Sequence, residues 1–198
     1  MIYAEEVDLL PVTLLPFSHR GIFSNYVKYI VHQYWSERSR HQEVWLSAIE
    51  ARLKSLGFQL PEPPAPGGNY VPFVVQDSFV FLAGVISTWN GAVITGTVGA
   101  DKSIQNGYEA ARACALVQLT NLKLALGDLD RVDRIISLNG YVNAVPGFGE
   151  SPQVINGASD LLVELFGSRG LHARAAIGVS ALPKNALVEI QMVAAAQV

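Results

Sequence analysis

Ile104, Tyr108, Ala111, Ala115, Leu119, Leu122 and Leu126 recur every three or four residues, opened by Asp101 or Ser103 and stopped by Gly127. That spacing places them on one face of a helix, and the chain must build an apolar surface to cover it. On both sides of this helix the period falls to two. Tyr70 to Gln76 and Phe79 to Ser87 read as strands joined by a turn at Asp77 and Ser78, with a short third strand through Val93 to Thr97 and another from Val132 to Asn143. Ser151 followed by Pro152 opens a second helix, lined by Ile155, Ala158, Leu162 and Leu165 and ended by Gly167. Two further alternating runs, Arg174 to Ser180 and Ala186 to Ala194, flank Leu182, Pro183, Lys184 and Asn185, which carry turn chemistry and predict a closing hairpin. This order predicts an α+β domain in which two helices lie over one face of a mixed sheet.

Upstream, Ala48 to Leu56 reads as a short helix ending at Gly57. Pro61, Pro63, Pro64, Pro66, Gly67 and Gly68 then form an extended connector, expected to mark a domain boundary. Residues 1–46 are expected to be an N-terminal extension of unknown role and residues 47–198 the main domain. In the extension, Phe23, Tyr26, Val27, Ile30, Val31 and Tyr34 form an apolar stripe at helical spacing, suited to packing on the domain or on a sister subunit. His19, His32 and His41 lack the spacing of a metal site, and no metal is expected.

With 198 residues, 50% hydrophobic and 16% charged, the chain can bury a full core. A formal net charge of -3 supplies no broad positive field, so nucleic acid is not an expected partner. Cys114 is the sole cysteine, which excludes an intramolecular disulfide and favours a reducing compartment. No basic leader precedes an apolar segment and no apolar run is long enough for a membrane span, so a cytoplasmic protein is expected.

The chemistry concentrates near the carboxyl end. Arg174 is an arginine on a mostly apolar strand, where its undischargeable guanidinium needs partners: an incoming anion, another side chain or water. In a hairpin centred on Pro183 and Lys184, Glu189 would stand opposite Gly178, sharing a face with Arg174 but ~13 Å from it. The glycines at 91, 96 and 99 miss the phosphate-loop spacing, and Gly147 to Gly149 miss the dinucleotide spacing. Ser180 lacks a nucleophile elbow, and His172 has no obvious serine or acid partner.

Three stretches together, GNYVPFVVQDSFVFLAG from Gly68, GYEAARACALVQLTNLKLALGDLDRV from Gly107, and the HAR, LPKN and VEI segments of the end, resemble the RidA/YjgF family over roughly residues 48–196. The connector and the INGASDLLVELFG segment look like a branch separate from its best-studied deaminases. The resemblance implies a chorismate-mutase-like fold and a homotrimer with clefts between subunits. It also implies cofactor-free hydrolysis of reactive 2-imino or 2-enamino acids to 2-oxo acids and ammonia. By position, Arg174 matches the carboxylate clamp, Glu189 the acid near the attacking water, Tyr70 the tyrosine at the cleft mouth, Asn156 an asparagine near the site, and Gly84 the glycine after the second strand. Ala83, Ala176 and Gln191 stand where many deaminase members carry serine, cysteine and a second acid. A small-carboxylate binding protein is therefore the alternative to an imine deaminase. The ribonuclease label of some relatives is disfavoured by the acidic charge balance.

Overall fold

The computed structural model describes residues 47–197; the stripe at residues 23–34 and the three upstream histidines lie outside them. Ser47 caps the first helix, α1 (Ala48–Ser55), by accepting from the Glu50 amide. The carboxylate of Asp130 takes the next two free amides, those of Ala48 and Ile49, at 2.8 and 2.9 Å. Ile49 and Leu53 enter the main core, and Phe58 and Leu60 pack beside them. The proline connector is thus no boundary. It lies along the domain, with the Thr120 hydroxyl donating to the carbonyl of Pro61 at 2.9 Å.

Strands β1 (Phe73–Gln76) and β2 (Phe79–Ile86) form the expected antiparallel pair. Asp77 takes a positive φ of 53° at the turn, a conformation aspartate tolerates better than most residues. The first strand starts later than its sequence pattern suggests. The Tyr70 amide donates back to the Gly68 carbonyl, and Pro72 has no amide to give to a ladder. Two short strands follow, β3 (Thr88–Trp89) and β4 (Ala92–Val93).

Helix α2 (Ile104–Leu126) begins at Ser103 in a reciprocal capping box with Asn106 and ends at Gly127 in the left-handed region. β5 (Val132–Asn143) leads to α3 (Ser151–Phe166), then β6 (Ala173–Val179) and β7 (Val188–Ala196). Glu150, not Ser151, occupies the cap position of α3, and the Ser151 hydroxyl is buried without a partner.

The five long strands form one sheet in the order β1-β2-β7-β5-β6. β5 runs parallel to β6 and antiparallel to β7. The predicted closing hairpin therefore does not exist: β5 is inserted between its two arms. Residues 180–187 are too long a connection for a tight turn, and Lys184 and Asn185, both at positive φ, let it step across the end of β5. Asn143 pins the crossing, its side-chain amide donating to Asn185 Oδ1 at 3.1 Å and to the Ala186 carbonyl at 3.3 Å.

Both long helices cover one sheet face, whose rows include Val80, Leu82 and Val85 from β2, Ile190, Met192 and Ala194 from β7, and Leu138 and Val142 from β5. Glycines permit the closest approaches. Gly157 in α3 lies on the Tyr108 carbonyl of α2, and Gly140 of β5 receives Ile155. The opposite face carries Phe79 and Phe81 from β2 and Ile177 from β6, all well exposed.

Candidate functional site

Arg174 lies on the edge strand β6, in register with Leu138 and, through it, Met192. That row faces the helices, so its guanidinium meets the outer flank of α3. One Nη1 donates to Asn156 Oδ1 at 2.8 Å and to Ser159 Oγ at 3.0 Å; Nη2 reaches the Pro152 carbonyl at 3.4 Å. These acceptors are all neutral. Among the described residues the guanidinium has no carboxylate partner, and it is exposed to solvent with donors to spare.

Asn156, expected beside a substrate, is thus seen holding the arginine. Ser159 follows it by one helical turn and is held in turn by His172, whose Nε2 lies 3.1 Å from Ser159 Oγ. His172 Nδ1 lies 2.6 Å from the Gly170 carbonyl. A carbonyl only accepts, so Nδ1 carries the hydrogen and the neutral ring presents its Nε2 lone pair to the serine hydroxyl. Burial pulls the His172 pKa below the ordinary imidazole value; the Gly170 carbonyl acts in the other direction, and the Arg174 charge lowers it further. The expectation that His172 lacks a serine partner is therefore corrected. Its partner sits 13 residues earlier on the preceding helix, and the only trace in the sequence is the spacing of Asn156 with Ser159 and of His172 with Arg174.

Glu189 belongs to a second cluster. It pairs with Tyr141 on one side and Ile86 on the other, in the row facing away from the helices. Arg174 and Glu189 consequently lie on opposite faces of the sheet, not on one face of a hairpin. They are two strands apart and three residues out of register, ~10 Å in each direction before the sheet's thickness is added. The β2 ladder slips between Leu82 and Val85, so Ala83 and Gly84 together oppose Gln191 in a bulge. Gln118, fully buried on α2, pins that bulge: its Nε2 donates to the carbonyls of Ala83 and Ile190, each at 2.8 Å. At Gly84 a side chain would collide with the Glu189 carboxylate. Burial raises the Glu189 pKa. It also pushes the nearby Cys114 thiol far up, with Glu189 adding to the effect, which makes this thiol an inert core group.

Gly84→Ala is expected to displace the Glu189 carboxylate while the bulge persists. The Glu189 pKa, followed by carboxyl NMR, would move toward the ordinary glutamate value as the group is driven into solvent. An unchanged titration would show that the glycine does not set its position.

Tyr70 stands at the far edge, in the turn before β1, half-exposed, with its hydroxyl accepting from the Gly67 amide at 3.2 Å. Within one chain the expected site residues therefore form separate groups: Arg174 with Asn156, Glu189 with Gly84, and Tyr70 alone. Among the described residues no cluster of histidine, cysteine and carboxylates could hold a metal, and no helix is long and apolar enough to cross a membrane.

A mixed sheet with two helices on one face and a parallel edge strand defines the chorismate-mutase-like α+β class. Residues 50–196 match the family model described as "YjgF/chorismate_mutase-like, putative endoribonuclease", and the chain belongs to this family. Protein TCP17 of Trypanosoma cruzi is 44% identical over 144 residues, 72% of this chain and 90% of that protein. Among solved structures, Atu1372 of Agrobacterium tumefaciens, a protein of unknown function, is 43% identical with a TM-score of 0.71, over 75% of this chain and 92% of its own. A structure from Shewanella oneidensis called a "putative endoribonuclease" is 35% identical with a TM-score of 0.72, over 74% of this chain and 98% of its own.

Proposed function

We propose that this protein is a cytoplasmic homotrimer that hydrolyses reactive 2-imino or 2-enamino acids to 2-oxo acids and ammonia without a cofactor. The observation that carries the reading is Arg174: an exposed guanidinium oriented by Asn156, Ser159 and the Pro152 carbonyl, with no carboxylate of the described residues neutralising it. Such a fork suits a small carboxylate through paired, charge-assisted hydrogen bonds, which would fix the adjoining imine carbon for attack by water. Glu189, with its raised pKa, is suited to accept a proton from that water.

In one chain these groups lie on opposite sheet faces, so the chemistry requires a neighbouring subunit to bring Glu189 or Tyr70 to Arg174. The exposed Phe79, Phe81 and Ile177 of the uncovered face are suited to such an interface. The same separation favours a second reading, a 2-oxo acid binding protein in which Arg174 acts alone; Ala83 and Ala176 are compatible with it.

The test generates an imine with an amino-acid oxidase and traps the remainder with semicarbazide. The protein is expected to lower semicarbazone yield in proportion to its concentration. No acceleration, with 2-oxobutanoate still bound in calorimetry, would leave the binding reading. Light scattering is expected to give three times the chain mass of 21.4 kDa; a monomer would remove the shared cleft.

A further inference from the structure

We infer that His172, acting through Ser159, is a positioning residue that couples carboxylate capture at Arg174 to uptake of a proton. The inference rests on the reading of Arg174 as a carboxylate clamp and adds a regulator to it. Its basis is a chain of contacts with one consistent direction: Arg174 Nη1 donates to Ser159 Oγ at 3.0 Å, the Ser159 hydroxyl donates to His172 Nε2 at 3.1 Å, and His172 Nδ1 donates to the Gly170 carbonyl at 2.6 Å. In this arrangement the serine hydrogen is committed to the imidazole and unavailable to a ligand.

Among the described residues, Arg174 is the charge that acts on the ring. It comes from β6, and its cation disfavours a second positive charge. From α3 the neutral Ser159 hydroxyl faces the ring, and the neighbouring Asp160 is engaged elsewhere by the Tyr108 hydroxyl at 2.9 Å. In the turn before β6, Arg169 turns its Nη1 to the Val132 carbonyl at 2.7 Å.

An anion on the guanidinium compensates the Arg174 charge, and the penalty on protonating His172 falls. Once protonated, Nε2 becomes a donor and must point its hydrogen at Ser159 Oγ. The serine hydrogen is then released and can turn to the second carboxylate oxygen of the ligand. One proton enters from solvent, one hydrogen bond reverses, and the ligand gains a donor. By reciprocity, the ligand favours the protonated ring and the protonated ring favours the ligand, so affinity rises as pH falls through the His172 pKa.

The test is calorimetry of 2-oxobutanoate binding to the full chain near pH 6, in buffers of different ionisation enthalpy. Wild type is expected to take up a fraction of a proton per ligand. His172→Gln and Ser159→Ala are expected to bind with no proton uptake. A one-unit coupling would raise wild-type affinity about tenfold on acidification and leave both variants flat. Binding without proton exchange in wild type would overturn the coupling and leave the clamp intact. Should wild type bind no 2-oxobutanoate, the clamp reading itself falls, and NMR titration of the His172 ring decides the coupling: its pKa should rise in Arg174→Ala, and an unchanged value would overturn it.

Discussion

Arg174→Ala is expected to abolish both turnover of imino acids and binding of 2-oxo acids while the protein stays folded. Each hydrogen bond from a charged donor is worth about 1.5–3 kcal/mol, so losing a paired contact to a carboxylate should lower kcat/KM by about 10² to 10⁴-fold. The thermal midpoint should barely move, because the side chain is exposed on an edge strand and surface changes of this kind stay within about 0.5 kcal/mol. Arg174→Lys preserves the charge and discards the planar fork, and is expected to recover only part of the loss. The oxidase and semicarbazide assay measures the rate, and calorimetry with 2-oxobutanoate measures the affinity. An alanine variant with wild-type kcat/KM would show that this guanidinium is not the clamp.

Gly157→Ala is expected to be the most damaging single methyl group. The added carbon would lie on the Tyr108 carbonyl of the facing helix, which as backbone cannot swing aside. α2 and α3 would have to separate, loosening Gly107 from Val154 and Ile155 from its seat on Gly140. Overpacking of this kind costs about 3 kcal/mol, which lowers the midpoint of a domain this size by roughly 6–12 °C in calorimetry. Gly149→Ala, where a new side chain meets nothing and φ is not positive, is the control and should leave the midpoint unchanged. Equal midpoints for the two variants would show that the helix crossing tolerates expansion.

The contrast between these predictions follows what each residue's environment is made of. The bounds of α2 and β5 coincide with those read from the sequence, because a 3.6-residue stripe, the cap at Ser103 and the stop at Gly127 are properties of contiguous residues. Arg174 was identifiable for a similar reason: an arginine in an apolar strand is anomalous before any fold is known. Its surroundings were not identifiable. Asn156 and Ser159 meet it from a helix, and His172 reaches Ser159 from the turn before β6, in an approach that depends on packing; Gln118 reaches the Ala83 and Gly84 bulge from 35 residues away in sequence.

The closing hairpin fails on the same ground. Two alternating strands joined by turn residues describe a pairing partner equally well whether the strands meet or a third enters between them. Side-chain alternation and turn chemistry were enough to assign the two long helices and the long strands, whereas the expected strand at Val93 to Thr97 is replaced by the short pair Thr88–Trp89 and Ala92–Val93. Insertion of β5 between β6 and β7 put Arg174 and Glu189 on opposite sheet faces. That choice is made by non-local hydrogen bonding and burial, to which residues near each other in sequence contribute no signal.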